Sequence, residues 1–288
     1  MPGAWTHRPP SDTLRRVTVP LEFDRSGAAG GPTVVLLHSV GLDRTFWAPV
    51  SEALERRFTT VRMDLRGHGQ SPSPPGPWSL GDFADDVAAL LHRLGVDRAH
   101  VVGQSFGGLV AQHVAIRHPD LVMSLVLSGT SCTTSEAERE MFLDRARVAE
   151  AEGMEQVARA AIARWFTDAG MDLPVVEAAH RRLLADDPAA WAKTFHAIAG
   201  HNVLDELRGV RARTLVVTGD ADVATPPHFA EELAAALPNR ELRILEGVPH
   251  MGYLEQPELF ARMIIDFLDG TDGAHGVDVT PRRLGASG

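Results

Sequence analysis

Apolar positions along this chain follow two periods. In some short runs nearly every residue is apolar or β-branched: residues 34–38 (VVLLH), 59–64 (TTVRMD), 100–103 (HVVG), 124–127 (SLVL), 214–218 (TLVVT) and 241–245 (ELRIL). Between them lie stretches whose apolar residues recur every three or four positions. The first kind predicts strands buried on both faces and the second predicts amphipathic helices. Their alternation predicts an α/β fold, a mostly parallel sheet with helices on both sides. The earlier run LRRVTVPLEF, residues 14–23, alternates as an antiparallel edge strand does.

The helical stretches carry start and stop signals. In SLGDFADDVAALLHRLG, Ser79 is placed to cap the first turn with Asp82 three residues on. Phe83, Val87, Leu90, Leu91 and Leu94 share one face, and Gly95 ends the run. Thr225-Pro226 and Gln256-Pro257 open two further helices, the last with Phe260, Ile264 and Phe267 as its buried stripe. The strand–helix alternation stops between about Cys132 and Gly209, where the pattern is helical throughout. The organisation read from this is a core first part over 14–131, a helical cap over 132–209, a core second part over 210–269 and a disordered tail over 270–288.

Composition narrows the functional classes. With 288 residues, 44% hydrophobic and 23% charged, the chain is an ordinary globular one, long enough for a large domain with an inserted piece. A net charge of -10 without a block of basic residues argues against nucleic acid as a partner. A single cysteine, Cys132, excludes an intramolecular disulfide, and no Cys/His spacing suggests a metal. No apolar run reaches membrane-span length and the N-terminus lacks a signal-like stretch, so a cytoplasmic location away from membranes is expected. Oligomeric state leaves no trace in the pattern.

The chemistry gathers at predicted strand ends. Gly103-Gln104-Ser105-Phe106-Gly107 follows a strand and opens a helix, the context in which G-x-S-x-G lifts a serine into an exposed, strained turn. In isolation the same five residues also fit a glycine-rich helix start with a capping serine. A serine nucleophile needs a base, and the base an orienting carboxylate. Asp220 and Asp222 end the 214–218 strand, and His250 follows the 241–245 strand, in the order Ser, Asp, His.

With these motifs, the HSVG run at 38–41 and the DLRGHGQS run at 64–71, the sequence resembles the α/β-hydrolase superfamily from about Leu21 to Leu268. The resemblance implies the α/β-hydrolase fold with the cap inserted after the sixth strand. It implies Ser105 as nucleophile, His250 as general base, and Asp222 as the orienting acid by the family's Gly-x-x-Asp spacing, with Asp220 supporting the loop. It implies an oxyanion hole from the backbone N–H groups of Val40 and Phe106, and no metal or organic cofactor. His38 and His68 then hold loops, and His113, His118, His196 and His201 are left as surface or cap residues.

Ser39 in place of the common glycine, followed by Asp43 and Trp47, is similar to the 3-oxoadipate enol-lactonases. So are the ARWFT segment at 163–167 and the DDP run at 186–188. The implied activity is hydrolysis of a small ester or lactone. Arg164, with Trp165 and Phe166, is then the candidate substrate-binding group, an arginine suited to a substrate carboxylate; a solvated Arg164 beside a tryptophan in the cap core is the alternative. Carbon–carbon bond hydrolysis or cofactor-free perhydrolysis would use the same three residues, and a ligand-binding receptor would keep the shell without needing them.

Overall fold

A computed structural model describes residues 18–270. Seven strands run in chain order as β1 (Phe23–Gly27), β2 (Thr33–Leu37), β3 (Thr59–Met63), β4 (Ala99–Gln104), β5 (Val122–Ser128), β6 (Arg213–Gly219) and β7 (Arg240–Leu245). The core helices before the insertion are α1 (Ala48–Leu54), α2 (Leu80–Arg93) and α3 (Phe106–Arg117). Between β5 and β6 lie α4 (Glu136–Glu152), α5 (Met154–Trp165), α6 (Pro174–Leu184), α7 (Pro188–Ala199) and α8 (Leu204–Leu207). The core resumes with α9 (Pro227–Ala236), α10 (Gly252–Glu255) and α11 (Pro257–Asp269).

One sheet holds all seven strands in the order β1-β3-β2-β4-β5-β6-β7. β1 pairs antiparallel with β3, and every other pairing is parallel. β2, β4 and nearly all of β5 and β6 are buried along their length, as strands covered on both faces must be. From β2 the chain crosses one way to β3, then returns past β2 to β4 and continues the other way. The crevice at the carboxyl ends of β2 and β4 is therefore the switch point at which such sheets bind ligands.

The predicted capping box forms: Ser79 accepts from the Asp82 amide, and the Asp82 carboxylate accepts from the Ser79 amide at 2.8 Å. Two expectations are corrected. The edge strand begins at Phe23 rather than near residue 14. Pro20 has no N–H to donate to a ladder, and the Val19 and Glu22 amides go instead to side chains, Asp86 Oδ1 at 2.8 Å and Ser71 Oγ at 2.9 Å. Residues 14–17 and the tail expected beyond Gly270 lie outside the described residues. The cap follows the fifth strand, not the sixth, because among the described residues one strand, not two, precedes the first parallel strand β2.

Among the described residues no helix is long and apolar enough to cross a membrane. His201 is a further departure from expectation. It is buried where the chain leaves α7, its Nδ1 3.4 Å from His113 Nε2, and burial lowers their pKa values to about 3 and about 4.

Candidate active site

Ser105 sits between the end of β4 and the first residue of α3, with φ 53° and ψ -116°. Among the described residues it is the one non-glycine with a positive φ, a conformation that costs on the order of 1–3 kcal/mol and must be held by its surroundings. What holds it is the Ser105 amide donating to Ser128 O at 2.8 Å on β5, and close packing of the flanking glycines. A Cβ at Gly103 would overlap the Gly107 carbonyl, and one at Gly107 would overlap the Leu37 carbonyl at the end of β2. The glycines are thus a steric requirement of the turn.

The predicted partners converge on the serine. His250 Nε2 is 2.9 Å from Ser105 Oγ, and His250 Nδ1 is 2.9 Å from Asp222 Oδ2. With the Nδ1 proton donated to the carboxylate, Nε2 is left as acceptor for the serine hydroxyl. Asp222 is the carboxylate that meets His250, while Asp220 Oδ1 accepts from the Gly247 amide at 2.7 Å and ties two loops together. Burial alone would raise the Asp222 pKa, but His250 and the Thr225 hydrogen bonds bring it below the usual carboxylate value.

Two supporting residues were not singled out from the sequence. Thr225 was read as a helix cap, yet α9 starts two residues later. Instead the Thr225 hydroxyl donates to Asp222 Oδ2 at 2.8 Å and lies 3.2 Å from His250 Nδ1, while the amides of Ala224 and Thr225 donate to Asp222 Oδ1. The Asx-like spacing of Asp222 to Thr225 is the signal that could have found it. Gln104 of the serine motif donates from Nε2 to the His250 carbonyl at 2.6 Å, so the residue before Ser105 fixes the histidine backbone.

The two candidate oxyanion amides flank the switch point. Phe106 is the first residue of α3, so its N–H has no acceptor within the helix. The loop after β2 closes a turn with the Leu42 amide donating to Ser39 O at 3.2 Å, which leaves the Val40 N–H, at the second position, outside the turn's own bond. Gly41 at the third position has φ 72°, the left-handed value such a turn favours in glycine. His38 and His68 are buried below this loop. His38 Nε2 accepts from the Leu65 amide at 2.9 Å and Nδ1 faces Ser39 O at 2.8 Å. Desolvation lowers its pKa to about 4 and that of His68 to about 3.

A cavity of about 260 Å³ lies over Ser105 and His250, with Val40, Phe106 and Thr225 in its wall and the cap opposite. Trp165, Trp191, Phe142 and Phe195 make the cap side largely apolar, and Arg145, Arg164 and Asp144, the last paired with Arg147 at 3.3 Å, bring charge to it. Phe166 does not line the cavity. The chain leaves α5 there in an extended conformation (φ -121°), which sends consecutive side chains to opposite sides, and Phe166 packs into the core. Cys132 is fully buried, and burial pushes its thiol up to about 12, so it offers no thiolate at neutral pH. Among the described residues no group of three or more His, Cys, Asp or Glu side chains is arranged to hold a metal ion.

Arg164 Nε donates to the Ala160 carbonyl at 3.2 Å, and Arg145 lies over the rings of Phe142 and Phe195 at 5.5 and 5.8 Å. Among the described residues neither guanidinium has a carboxylate within ion-pairing distance. Burial and the Arg164 charge pull Arg145 down to about 10, and burial lowers Arg164. Both remain cationic at neutral pH. Arg145 is an addition from the structure, since α4 carries several arginines and its sequence does not say which one turns inward.

Known proteins share this architecture. The 3-oxoadipate enol-lactonase 2 of Acinetobacter baylyi is 29% identical over 251 residues, covering 86% of this chain and 93% of its own. The enol-lactonase of Burkholderia xenovorans LB400 superposes with a TM-score of 0.82 at 31% identity, over 87% of this chain and 97% of that one. A thermophilic esterase from Thermogutta terrifontis, solved with malate bound, superposes with the same TM-score at 29% identity, over 88% and 94%. Residues 34–263, most of the described chain, match the family described as Alpha/beta hydrolase family, and to that family the chain belongs.

Proposed function

We propose that this protein is a serine hydrolase that cleaves a small carboxylic ester or lactone through an acyl-enzyme. The observation that carries the reading is the hydrogen-bonded line from Ser105 through His250 to Asp222 at the floor of a cavity beneath the cap. His250 takes the Ser105 proton as Oγ attacks the carbonyl carbon, and Asp222 stabilises the imidazolium that results. The Val40 and Phe106 amides receive the charge that develops on the carbonyl oxygen, which is absent in the ground state and so contributes to rate rather than to binding. His250 returns the proton to the leaving oxygen. It then activates a water that releases the acid and restores Ser105.

Arg145 and Arg164 narrow the substrate to one bearing a carboxylate on the part that reaches the cap. Among the described residues these two partly buried like charges have no carboxylate within ion-pairing distance; they repel each other, and an anion between them relieves that repulsion. The enol-lactonase relatives, and the malate held by the esterase relative, support a carboxylate-bearing lactone such as 3-oxoadipate enol-lactone. Trp165 gives such a substrate an apolar wall beside Arg164.

The test is an assay of wild type and Ser105→Ala against a short-chain aryl ester, 3-oxoadipate enol-lactone and a ring-cleavage dienone. Ser105→Ala is expected to lose about 10⁴-fold or more in kcat/KM, with the lactone preferred by wild type. Full activity in the variant would remove Ser105 from the mechanism. Preference for the dienone would favour carbon–carbon cleavage, and tight binding without turnover by either protein would favour a receptor.

A further inference from the structure

The cap reaches past the cavity to the loop that carries Val40. Arg182, in the last turn of α6, places Nε 2.9 Å from Asp43 Oδ2 and Nη2 2.8 Å from Asp186 Oδ1. Asp43 is the third residue after Val40, and its other oxygen accepts from the Thr45 amide at 2.9 Å, capping the short turn into α1. The next residue, Arg44, is anchored by its amide to Asp64 Oδ1 at 2.8 Å. Arg182 therefore joins the cap to a point from which the oxyanion loop is suspended.

The loop is gripped a second time at Gly41. A Cβ there would overlap Leu183 of α6, lie 2.7 Å from the ring of Trp191 on α7, and stand 3.2 Å from Asp186 Oδ2. Cap side chains thus pack directly on the residue that follows Val40. All three groups of the ion cluster are largely withdrawn from solvent, the Arg182, Asp43 and Asp186 side chains being 16%, 15% and 5% exposed. Buried, charge-assisted contacts of this kind fix geometry better than a rim salt bridge does.

We propose that Arg182 is a positioning residue for the reaction: through Asp43, and with Leu183 and Trp191 seated on Gly41, it sets where the Val40 N–H points. The cap then does more than select substrate, since one of its side chains holds half of the oxyanion hole. This rests on the serine-hydrolase reading above, because an oriented Val40 amide matters only if charge develops on a carbonyl oxygen. Arg182 acts through Asp43 and touches no reacting atom.

The expected signature is a kinetic split. The amide stabilises the transition state and not the bound ester, so Arg182→Met should lower kcat on an aryl acetate about 10- to 100-fold, less than loss of an oxyanion donor outright, and leave KM within about twofold. Phenylboronic acid forms a tetrahedral adduct on a nucleophilic serine, and its affinity should fall by the same factor as kcat. Arg182→Lys should recover most of both. Asp43→Asn should reproduce the loss, and the double variant should be no worse than either single one.

Melting curves separate positioning from folding. A variant that melts early but keeps wild-type kcat and boronate affinity per titrated active site would overturn the proposal, as would parallel losses in Arg182→Lys and Arg182→Met. If Arg182→Met does not fold, the Lys and Asp43→Asn variants decide the matter alone. Failure of the serine mechanism itself has a different mark, retention of the wild-type rate in Ser105→Ala, and it would take this inference down with it.

Discussion

Ser105 and Arg145 face one cavity from opposite sides and are held in opposite ways. Around Ser105 the charged and titratable groups are paired: Asp222 accepts from His250, from the Thr225 hydroxyl and from two backbone amides, and Gln104 Nε2 holds the His250 carbonyl. Around Arg145 the partners are two aromatic rings and a methionine sulfur at 3.2 Å, and among the described residues no carboxylate lies within ion-pairing distance. On the proposed mechanism the floor is organised for charge that arises during the reaction. The roof carries charge in advance of a ligand and pays for it in desolvation and repulsion. On the proposed reading the difference separates a rate-setting part from a choosing part, and substitutions on the two sides should divide accordingly.

The largest effect belongs to the floor. Asp222→Asn keeps the shape of the side chain but removes the charge that steadies imidazolium, and it invites the wrong histidine tautomer. A drop in kcat of about 10⁴-fold on every substrate is expected, with KM little changed. Steady-state kinetics on both an aryl ester and a carboxylate-bearing lactone check this, and a loss confined to one substrate would break the division. Gly107→Ala comes next. Its Cβ would press on the Leu37 carbonyl where α3 crosses β2, so the variant should lose about 2–4 kcal/mol of stability in urea unfolding.

On the roof the expected damage is selective. Arg145→Ala with Arg164→Ala removes the uncompensated pair, which should raise KM about 10- to 100-fold for a lactone that bears a carboxylate. For an uncharged aryl acetate KM should stay or fall, because a repulsive pair has gone. An equal rise for both substrates would mean that the arginines shape the cavity through their stems rather than through their charge.

The floor was legible because its chemistry obeys local rules. A strained serine turn demands glycine at Gly103 and Gly107, strand ends collect Asp222 and His250, and a turn after β2 demands Gly41; each leaves residues of fixed type at fixed spacing. The roof follows no such rule. Arg164 and Trp165 do line the cavity, but Phe166 beside them does not, because an extended residue at the helix end reverses which side faces inward. Arg145 was hidden among the other arginines of α4, since a helix rich in Arg and Glu has no apolar stripe to mark its inner face. Thr225 looked like a helix cap because the hydroxyl that serves Asp222 has the chemistry of a cap. The first strand slipped toward Phe23 because alternation shows what could pair, while Pro20 and the side-chain acceptors Asp86 and Ser71 decide what does.

The smallest effect tests whether the roof, too, is held by its charges. Burial raises the Asp186 pKa to about 7, although Arg182, with Nη2 2.8 Å from Oδ1, opposes the rise. A folded-state value above the unfolded one near 4 means that Asp186 favours the fold fully below about pH 4. That contribution fades as the pH rises through about 7. Buried His38, His68, His113 and His201 pull the other way below about pH 6.5, because the unfolded chain protonates them first. The informative quantity is therefore the difference between proteins. Asp186→Asn cannot titrate, so relative to wild type it should gain on the order of 2–3 kcal/mol between pH 5 and pH 8 in denaturant unfolding. A constant offset across that range would show that Asp186 is not protonated in the fold, and that Arg182 holds two full carboxylates at the seam between floor and roof.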